Sequence, residues 1–172
     1  SLWLGDKLGD EGVKYLAESE SLTRLTQLSL YRNNIGNEGA IAIANSKNLA
    51  KLEELNLNWN YIEAEGLDAL AHSDTLKSLT QLTLTYNPLG LGGAEVIANA
   101  ENFKNVTLMD LYETEIGNLG GKVLANSKNL PAMKTLVLIH NDITEGVEAL
   151  FKDNENFPNL ENIYFNKPKE TE

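Results

Sequence analysis

The sequence predicts an α/β solenoid, a curved right-handed superhelix in which each turn supplies one β-strand and one α-helix. Three observations predict it. Apolar residues return with a period of 27 residues, each copy contains a strand-like Leu-x-Leu step, and the second half of each copy has helical apolar spacing. We therefore expect seven strand segments and six helical segments, with parallel strands on the concave face and helices on the convex face.

The repeat is clearest in the segments that begin at Leu28, Leu55 and Leu82. Each segment reads Leu-x-Leu, continues to an asparagine and then reaches another apolar residue. Weaker copies follow at Met109 and Leu136, after which the pattern fades. The residues of a truncated first copy in the same register are Trp3, Asp6 and Leu8.

The strand of each copy is expected to have one buried and one outward face. Side chains alternate across a strand, so Leu28 and Leu30 point into the core while Ser29 and Tyr31 point outward. The polar residue after the strand is an asparagine in four copies and is substituted in two. These residues are Asn33, Asn60, Asn87 and Asn141, with Asp6 and Thr114 as substitutes. A buried asparagine can bond backbone groups of its own turn and of the neighbouring turn, so we interpret it as structural.

The second half of each copy, such as residues 38–44, places apolar residues at i, i+3 and i+4 and so predicts a helix with one inward face. Glycine recurs in these segments at positions 12, 39, 66, 93 and 120, where adjacent turns are expected to approach closely. Strands stack about 4.8 Å apart and helices need about 8 to 10 Å. The stack must therefore bend with its strands on the inside, which makes the concave face a docking surface.

Composition restricts the function further. The 172 residues include 25 acidic and 14 basic side chains, a net charge of −11 that repels nucleic acid. No cysteine is present, which excludes disulfides and thiolate chemistry and favours a reducing cytosol or a bacterial setting. No apolar run is long enough to insert in a membrane. We expect a single domain over residues 1–172, which ends in a polar tail at 167–172. We also expect this domain to lack one or both of the segments that cap the ends of a solenoid, as a fragment would.

The motif Leu-x-x-Leu-x-Leu-x-x-Asn-x-Ile-Gly-x-Glu-Gly-Ala, followed by an apolar helix, resembles the ribonuclease-inhibitor-type leucine-rich repeat. The resemblance covers nearly the whole chain and implies a leucine-rich-repeat solenoid that binds protein, without choosing the partner. The constant period and the absence of cysteine depart from the ribonuclease inhibitor and favour a bacterial relative. Such a protein would act in the cytoplasm or, if it is similar to a bacterial effector, in a host cell.

The outward positions form three lanes with one residue per copy. Lane 1 consists of Leu2, Ser29, Asn56, Thr83, Asp110, Val137 and Tyr164. Lane 2 consists of Leu4, Tyr31, Asn58, Thr85, Tyr112, Ile139 and Asn166. Lane 3, just past the strand, consists of Gly5, Arg32, Trp59, Tyr86, Glu113, His140 and Lys167. Most of the tyrosines and one of the two tryptophans fall on these lanes or on the loop that follows them.

Exposed tyrosine and tryptophan dominate interface hot spots, so we predict that this face binds a protein partner. The predicted contact residues are Tyr31, Arg32, Asn58, Trp59, Tyr61, Tyr86, Asp110, Tyr112, Glu113, Val137, Ile139, His140 and Tyr164. They divide into an N-terminal cluster around Trp59 and a more apolar C-terminal cluster around Tyr112 and Ile139. Carboxylates at Asp110 and Glu113 border the second cluster, which favours a basic or mixed-charge partner.

A first alternative is that the aromatic residues reflect strand propensity alone and have no role in binding. This alternative explains Trp59 and Tyr86 less well, because both residues lie past the strand. A carbohydrate or small-ligand surface is a second alternative, since tryptophan and tyrosine beside asparagine can stack on sugars. Self-association, through Val137 and Ile139 or through a bare first turn, is a third.

Catalysis is the least favoured interpretation. The two histidines, His72 and His140, belong to opposite sides of the predicted solenoid, so they cannot share a metal or a catalytic triad. Asp110 and Glu113 could resemble a carboxylate pair, but an open, shallow surface does not shield an active site. We therefore expect no enzyme activity, no cofactor and no metal site.

Overall fold

The computed structural model describes residues 2–3 and 7–166, with side chains over 7–166. One parallel sheet contains every described strand in chain order, and a helix follows each of the first six strands. The strands are β1 Leu2–Trp3, β2 Gln27–Ser29, β3 Glu54–Asn56, β4 Gln81–Thr83, β5 Leu108–Asp110, β6 Thr135–Val137 and β7 Asn162–Tyr164. The helices are α1 Gly9–Glu18, α2 Asn37–Asn45, α3 Ala64–Ala71, α4 Gly90–Asn99, α5 Gly117–Ala125 and α6 Glu145–Glu148. The predicted α/β solenoid with seven strands and six helices is confirmed over the described residues.

We call a strand together with the helix that follows it a coil. Short 3-10 turns lead from several helices towards the next strand. They span Glu20–Leu22, Lys47–Leu49, Glu101–Asn105 and Ala149–Phe151. Adjacent strands lie closer together than adjacent helices, so the solenoid bends with its strands on the inner side.

Strand pairing confirms the 27-residue period from β2 to β7. Leu28 pairs with Leu55, and Leu55 pairs with Leu82, so equivalent residues of successive coils are neighbours. The same offset joins all later strands. The lanes predicted from the sequence are therefore rows of adjacent residues in these coils.

The first coil departs from the predicted register. We expected Leu2 to align with Ser29, but the structure pairs Leu2 with Leu28 and Trp3 with Ser29, an offset of 26 residues. Further along, the amide of Leu8 bonds Asn33 as the amide of Ile35 bonds Asn60, which restores the 27-residue offset. The first coil therefore has one residue fewer between its strand and its helix. The predictions for residues 4–6 and for the tail at 167–172 lie outside the described residues.

A continuous apolar core runs between the sheet and the helices. The inward strand residues Leu28, Leu55 and Leu82 are at most 2% exposed, and the helix residues Ile43 and Ile97 are fully buried. The alternation predicted for the strands and the inward face predicted for the helices are both confirmed. Each buried leucine or isoleucine stabilises the fold by about 1.5 to 3 kcal/mol relative to an exposed one.

The asparagines that follow β2, β3, β4 and β6 form the predicted ladder between coils. The Asn60 side chain is 3% exposed. Its Oδ1 atom accepts hydrogen bonds from the backbone amides of Asn33 and Ile35, both at 3.0 Å. Its Nδ2 atom donates to the carbonyls of Leu30 at 3.0 Å and Leu57 at 2.8 Å. One side chain thus forms hydrogen bonds with buried backbone groups of two coils. These backbone groups have no partner within a strand or a helix.

A second set of bonds, not predicted from the sequence, joins the helix N-termini. Asp10 Oδ1 accepts from the amides of Gly36 at 2.7 Å and Gly39 at 3.0 Å, both in the next coil. Asn37 Oδ1 likewise accepts a hydrogen bond from the amide of Gly66 in the following coil, at 3.1 Å. A Cβ atom at Gly66 would lie only 2.8 Å from that oxygen, which confirms the predicted close approach at this glycine.

The helix C-termini are joined by serine and asparagine. The hydroxyl of Ser46 and the amide of Asn48 donate to the carbonyl of Ala17, at the end of the helix in the preceding coil. Ser127 and Asn129 bond Ala98 in the same manner. The four donor residues lie in two stretches of identical sequence, at 44–49 and 125–130.

Replacing Asn60 with alanine is expected to lower the free energy of unfolding by about 3 kcal/mol or more, because several buried backbone groups lose their partners. Chemical denaturation followed by circular dichroism measures the change. The matched control is Asn45→Ala on the exposed side of α2, which should change stability little. Equal stability of the two variants would contradict the structural role of Asn60.

Candidate functional site

A row of aromatic rings crosses five coils on the strand side of the solenoid. Tyr31 meets Trp59 at a centroid distance of 6.5 Å, and Trp59 meets Tyr86 at 4.0 Å. Tyr86 then meets Tyr112 at 5.4 Å, and Tyr112 meets His140 at 5.0 Å. We call these five residues the aromatic row. It combines two lanes, because Tyr31 and Tyr112 come from lane 2 and the other three residues from lane 3.

Backbone bonds between coils hold the lane 3 residues in place. The amide of Trp59 donates to the carbonyl of Thr85 at 2.7 Å, and the amide of Tyr86 donates to the carbonyl of Tyr112 at 3.0 Å. These bonds extend the parallel ladder beyond the last residue of each strand. The rings are therefore attached to a backbone that is fixed on the side of the next coil.

All described residues of lane 3 adopt the left-handed backbone conformation. Their φ angles lie between 50° and 60°. The residues are Arg32, Trp59, Tyr86, Glu113 and His140. This conformation costs a bulky L-residue about 1 to 2 kcal/mol, whereas glycine adopts it freely. Large side chains at these positions thus stabilise the fold less than glycine or asparagine would, so a role outside the fold accounts for them better.

Trp59 is approached by protein groups from both neighbouring coils. The Tyr86 ring lies against it from one coil, inclined by 35°. From the other coil, the Arg32 guanidinium carbon lies 5.8 Å from the Trp59 ring centroid, a cation–π contact. Trp59 is nevertheless 43% exposed, so a substantial part of its ring surface faces solvent.

The carboxylate of Glu113 acts on the hydroxyl of Tyr86. Hydrogen bonding to the Glu113 side chain, with partial burial and a bond to Tyr112 as smaller causes, raises the pKa of Tyr86 to about 12. The hydroxyl therefore stays protonated well above neutral pH and serves as a donor to the carboxylate. Glu113 is thus the main cause of the raised pKa of the tyrosine at the centre of the aromatic row.

The far end of the row borders an acidic recess of about 410 Å³. Its lining includes the carboxylates of Glu113, Glu115 and Asp142, together with His140 and Asn166. The amide of His140 donates to Asn166 Oδ1 at 2.7 Å, which ties the recess to the last coil. In residues 7–166, no group of three or more His, Cys, Asp or Glu side chains is arranged to hold a metal ion.

Two predicted contact residues make hydrogen bonds within the protein. Asn58 Oδ1 accepts from the amide of Thr85 at 2.9 Å, and Asp110 Oδ1 accepts from the amide of Tyr112 at 3.0 Å. Asp110 therefore helps to shape the turn that presents Tyr112. The carboxylate pair considered for Asp110 and Glu113 is engaged with separate partners.

The remaining predicted contact residues flank the row. Tyr61 is 64% exposed on the loop beyond lane 3, and Tyr164 is 47% exposed on β7. Val137 and Ile139 are half-buried. The sequence predicted two separate clusters, but in the structure the contact between Tyr86 and Tyr112 joins them into one row.

A small hollow of about 200 Å³ lies on strands β2 to β4. Ligand pockets usually have about 300 to 1,000 Å³, so it is too small for a typical organic ligand. Its polar lining includes Gln27, Glu54 and Gln81, which were not among the predicted contact residues. Strand alternation already places these residues on the outward face, one lane before lane 1, and could have identified them.

The two histidines are far apart in the fold, as predicted. His72 caps the C-terminus of α3, where its side chain lies 3.1 Å from Asp68. His140 lies in the turn after β6, beside Tyr112. None of the described helices is both long and apolar enough to cross a membrane.

Glu113→Gln is expected to lower the pKa of Tyr86 towards 10, because the charged acceptor that holds the proton is removed. Since the folded-state pKa of Tyr86 is raised, the stability it contributes is complete below pH 10 and is lost as the pH rises through about 12. Ultraviolet absorbance of tyrosinate measures the titration. Tyr86→Phe should remove the late step altogether, and an unchanged curve for Glu113→Gln would contradict the bond.

The hydroxyls of Thr83 and Thr85 are buried without a hydrogen-bond partner in the described part of the chain. Thr85→Val keeps the shape and removes the unpaired group, so we expect the free energy of unfolding to rise by about 1 kcal/mol. Thr114→Val is the matched control and should lower the free energy of unfolding, because the Thr114 hydroxyl donates a hydrogen bond to the carbonyl of Leu111 at 2.9 Å. Thermal or chemical denaturation tests both, and a destabilised Thr85→Val would contradict the expectation.

Comparison with known proteins agrees with this geometry. A family model for the leucine-rich repeat matches residues 21–44, 48–71 and 75–98. Among solved structures, the actin-binding site 2 of leiomodin-1 is similar, with a TM-score of 0.50 and 19% identity over 62% of this chain and 68% of that chain. No curated protein sequence matches. The matched repeats and the sheet of parallel strands alternating with helices together show that the fold is a leucine-rich-repeat solenoid.

Proposed function

We propose that the protein is a scaffold for protein–protein interaction and binds its partner on the concave strand face, without catalysis. The aromatic row is the observation that carries the proposal. Five rings in contact across five coils, several of them well exposed, provide a continuous surface for a partner. Tyrosine and tryptophan contribute most to binding in such positions because they bury large areas with few rotatable bonds.

The left-handed backbone of lane 3 supports the same function. Strand propensity does not explain Trp59 and Tyr86, because both residues have φ angles outside the strand region. Glycine or asparagine would be less strained at these positions. Bulky residues placed at a cost to stability are typical of functional sites.

The charges around the row favour a basic or mixed-charge partner. Glu113, Glu115 and Asp142 lie at one end of the row, and the whole chain carries a net charge of −11. Charge of this kind raises association rates and excludes wrong partners more than it adds affinity. Nucleic acid is a poor candidate for the same reason.

The similar solved structure supports a protein partner in general terms only. Its name describes an actin-binding site, but at 19% identity the likeness concerns the fold. We therefore do not extend actin binding to this chain.

We propose that the repeats are of the ribonuclease-inhibitor type, since the Leu-x-x-Leu-x-Leu-x-x-Asn motif followed by an α-helix in each coil fits that type. The absence of cysteine supports a bacterial protein that acts as one domain in the cytoplasm or in a host cell.

Two other functions fit the surface less well. Sugars stack on open faces of aromatic rings, whereas Trp59 already has Tyr86 and Arg32 against it. Self-association through Val137 and Ile139 is disfavoured because both side chains are half-buried. Competition by a free oligosaccharide, or a molecular mass that rises with concentration, would favour one or the other.

The joint replacement of Trp59 and Tyr86 by alanine is expected to weaken partner binding at least about thirtyfold, because hot-spot residues contribute about 2 kcal/mol or more. Affinity capture with the intact chain provides the partner. Calorimetry with the purified partner then measures the dissociation constants.

The matched control is Tyr15→Ala on α1, since Tyr15 is 72% exposed but lies on the helix side. It should bind as tightly as the intact chain. If the row variant retains full affinity, or if Tyr15→Ala weakens binding equally, the interface lies elsewhere.

A further inference from the structure

The aromatic row has opposite charges at its two ends. Arg32 stands at the N-terminal end, and Glu113, Glu115 and Asp142 stand at the C-terminal end. The coils between them contribute only uncharged residues to lanes 1 to 3. These residues are Asn56, Asn58, Trp59, Thr83, Thr85 and Tyr86. The surface is therefore dipolar along the row, perpendicular to the strands.

These end charges are available to a partner. The ion pairs between side chains in residues 7–166 lie elsewhere, at Lys14–Glu38, His72–Asp68, Lys77–Asp74 and Lys134–Glu161. Arg32 is exposed and contacts the Trp59 ring, while Glu115 is exposed on its loop. An ion pair formed with a partner would thus replace no pair within the protein.

The rings form ridges and notches instead of a flat platform. Successive rings are inclined by 61°, 35°, 48° and 51° along the row. A corrugated aromatic surface suits a narrow, extended segment with compact apolar side chains. Proline-rich segments bind aromatic-lined grooves in this manner, because their polyproline II conformation is already ordered before binding.

The spacing of the coils also fits a polyproline II segment. Its residues repeat on one face every three positions, about 9.3 Å. Two strand spacings amount to about 9.6 Å. A β-strand presents one face about every 6.7 Å and an α-helix about every 5.4 Å, and neither spacing matches one or two coils as closely.

We propose that the aromatic row binds a proline-rich polyproline II segment of the partner in one orientation, with a basic residue at the Glu115–Asp142 end and an acidic group at Arg32. This inference rests on the proposed function and adds the chemistry and the direction of the bound segment. Arg32 and the acidic end are three to four coils apart, about 14 to 19 Å. At about 3.1 Å per residue, the two charged residues of the segment are about five to six positions apart.

Selection from a phage library of random dodecapeptides on the intact chain tests the proposal. The expected peptides contain several prolines and have a basic residue about five to six positions from an acidic one, as calculated for polyproline II. Synthetic peptides from the selection should bind the Trp59→Ala variant at least about tenfold more weakly.

Charge-neutral variants of the intact chain test the direction. Glu115→Gln with Asp142→Asn should weaken the selected peptides at least about tenfold, and the loss should disappear when the basic residue of the peptide is replaced by leucine. Arg32→Gln should behave likewise towards the acidic residue. Glu155→Gln, at an exposed position on the last described coil, is the matched control and should have no effect.

The possible failures are distinguishable. Peptides that depend on Trp59 but lack proline or the charge order would overturn this inference and leave the proposed function intact. Peptides that bind all variants equally, or no enrichment at all, would overturn both. Enrichment that a free oligosaccharide abolishes would assign the row to carbohydrate instead.

Discussion

The hydrogen bonds that the buried asparagines make between coils are the constraint on which the rest of the structure depends. Asn60 shows why: its amide pairs backbone groups of its own coil and of the preceding one in a layer that is almost without solvent. A coil that slipped by one residue would leave these groups unpaired, at a cost of about 1 to 3 kcal/mol each. The ladder therefore fixes the register, and the register places every outward residue beside its equivalent in the next coil.

The aromatic row follows from that register. Adjacent strands hold Trp59 and Tyr86 close enough for ring contact at 4.0 Å, and the backbone bonds of lane 3 remove most of their remaining freedom. Binding then costs little ordering entropy, because the rings are already in place. The left-handed conformation of these residues lowers stability, but the apolar core beneath them provides a large compensating contribution.

Periodicity in the sequence was sufficient to predict the fold, the buried leucines and the asparagine ladder, because each depends on spacing alone. It was not sufficient for the first coil, where one missing residue moved Trp3 into register with Ser29. The caps that Asp10 and Asn37 provide were missed because they act on the next coil and not on their own helix. The single row that the two clusters form was missed, because Tyr86 and Tyr112 belong to different lanes of adjacent coils and only the length of their side chains brings the rings into contact.

Specificity in this architecture resides in side chains more than in backbone. Lane 3 has the same backbone conformation from Arg32 to His140 and the same backbone bond between coils from Arg32 to Glu113, yet it presents arginine, tryptophan, tyrosine, glutamate and histidine in turn. A surface built this way can change its charge or ring content at a lane 3 position with little effect on the neighbouring coils, since the lane 3 residues make these bonds through their backbone amides. The order of side chains along the row, from Arg32 to Asp142, is therefore the part of the molecule that determines which partner fits and in which direction.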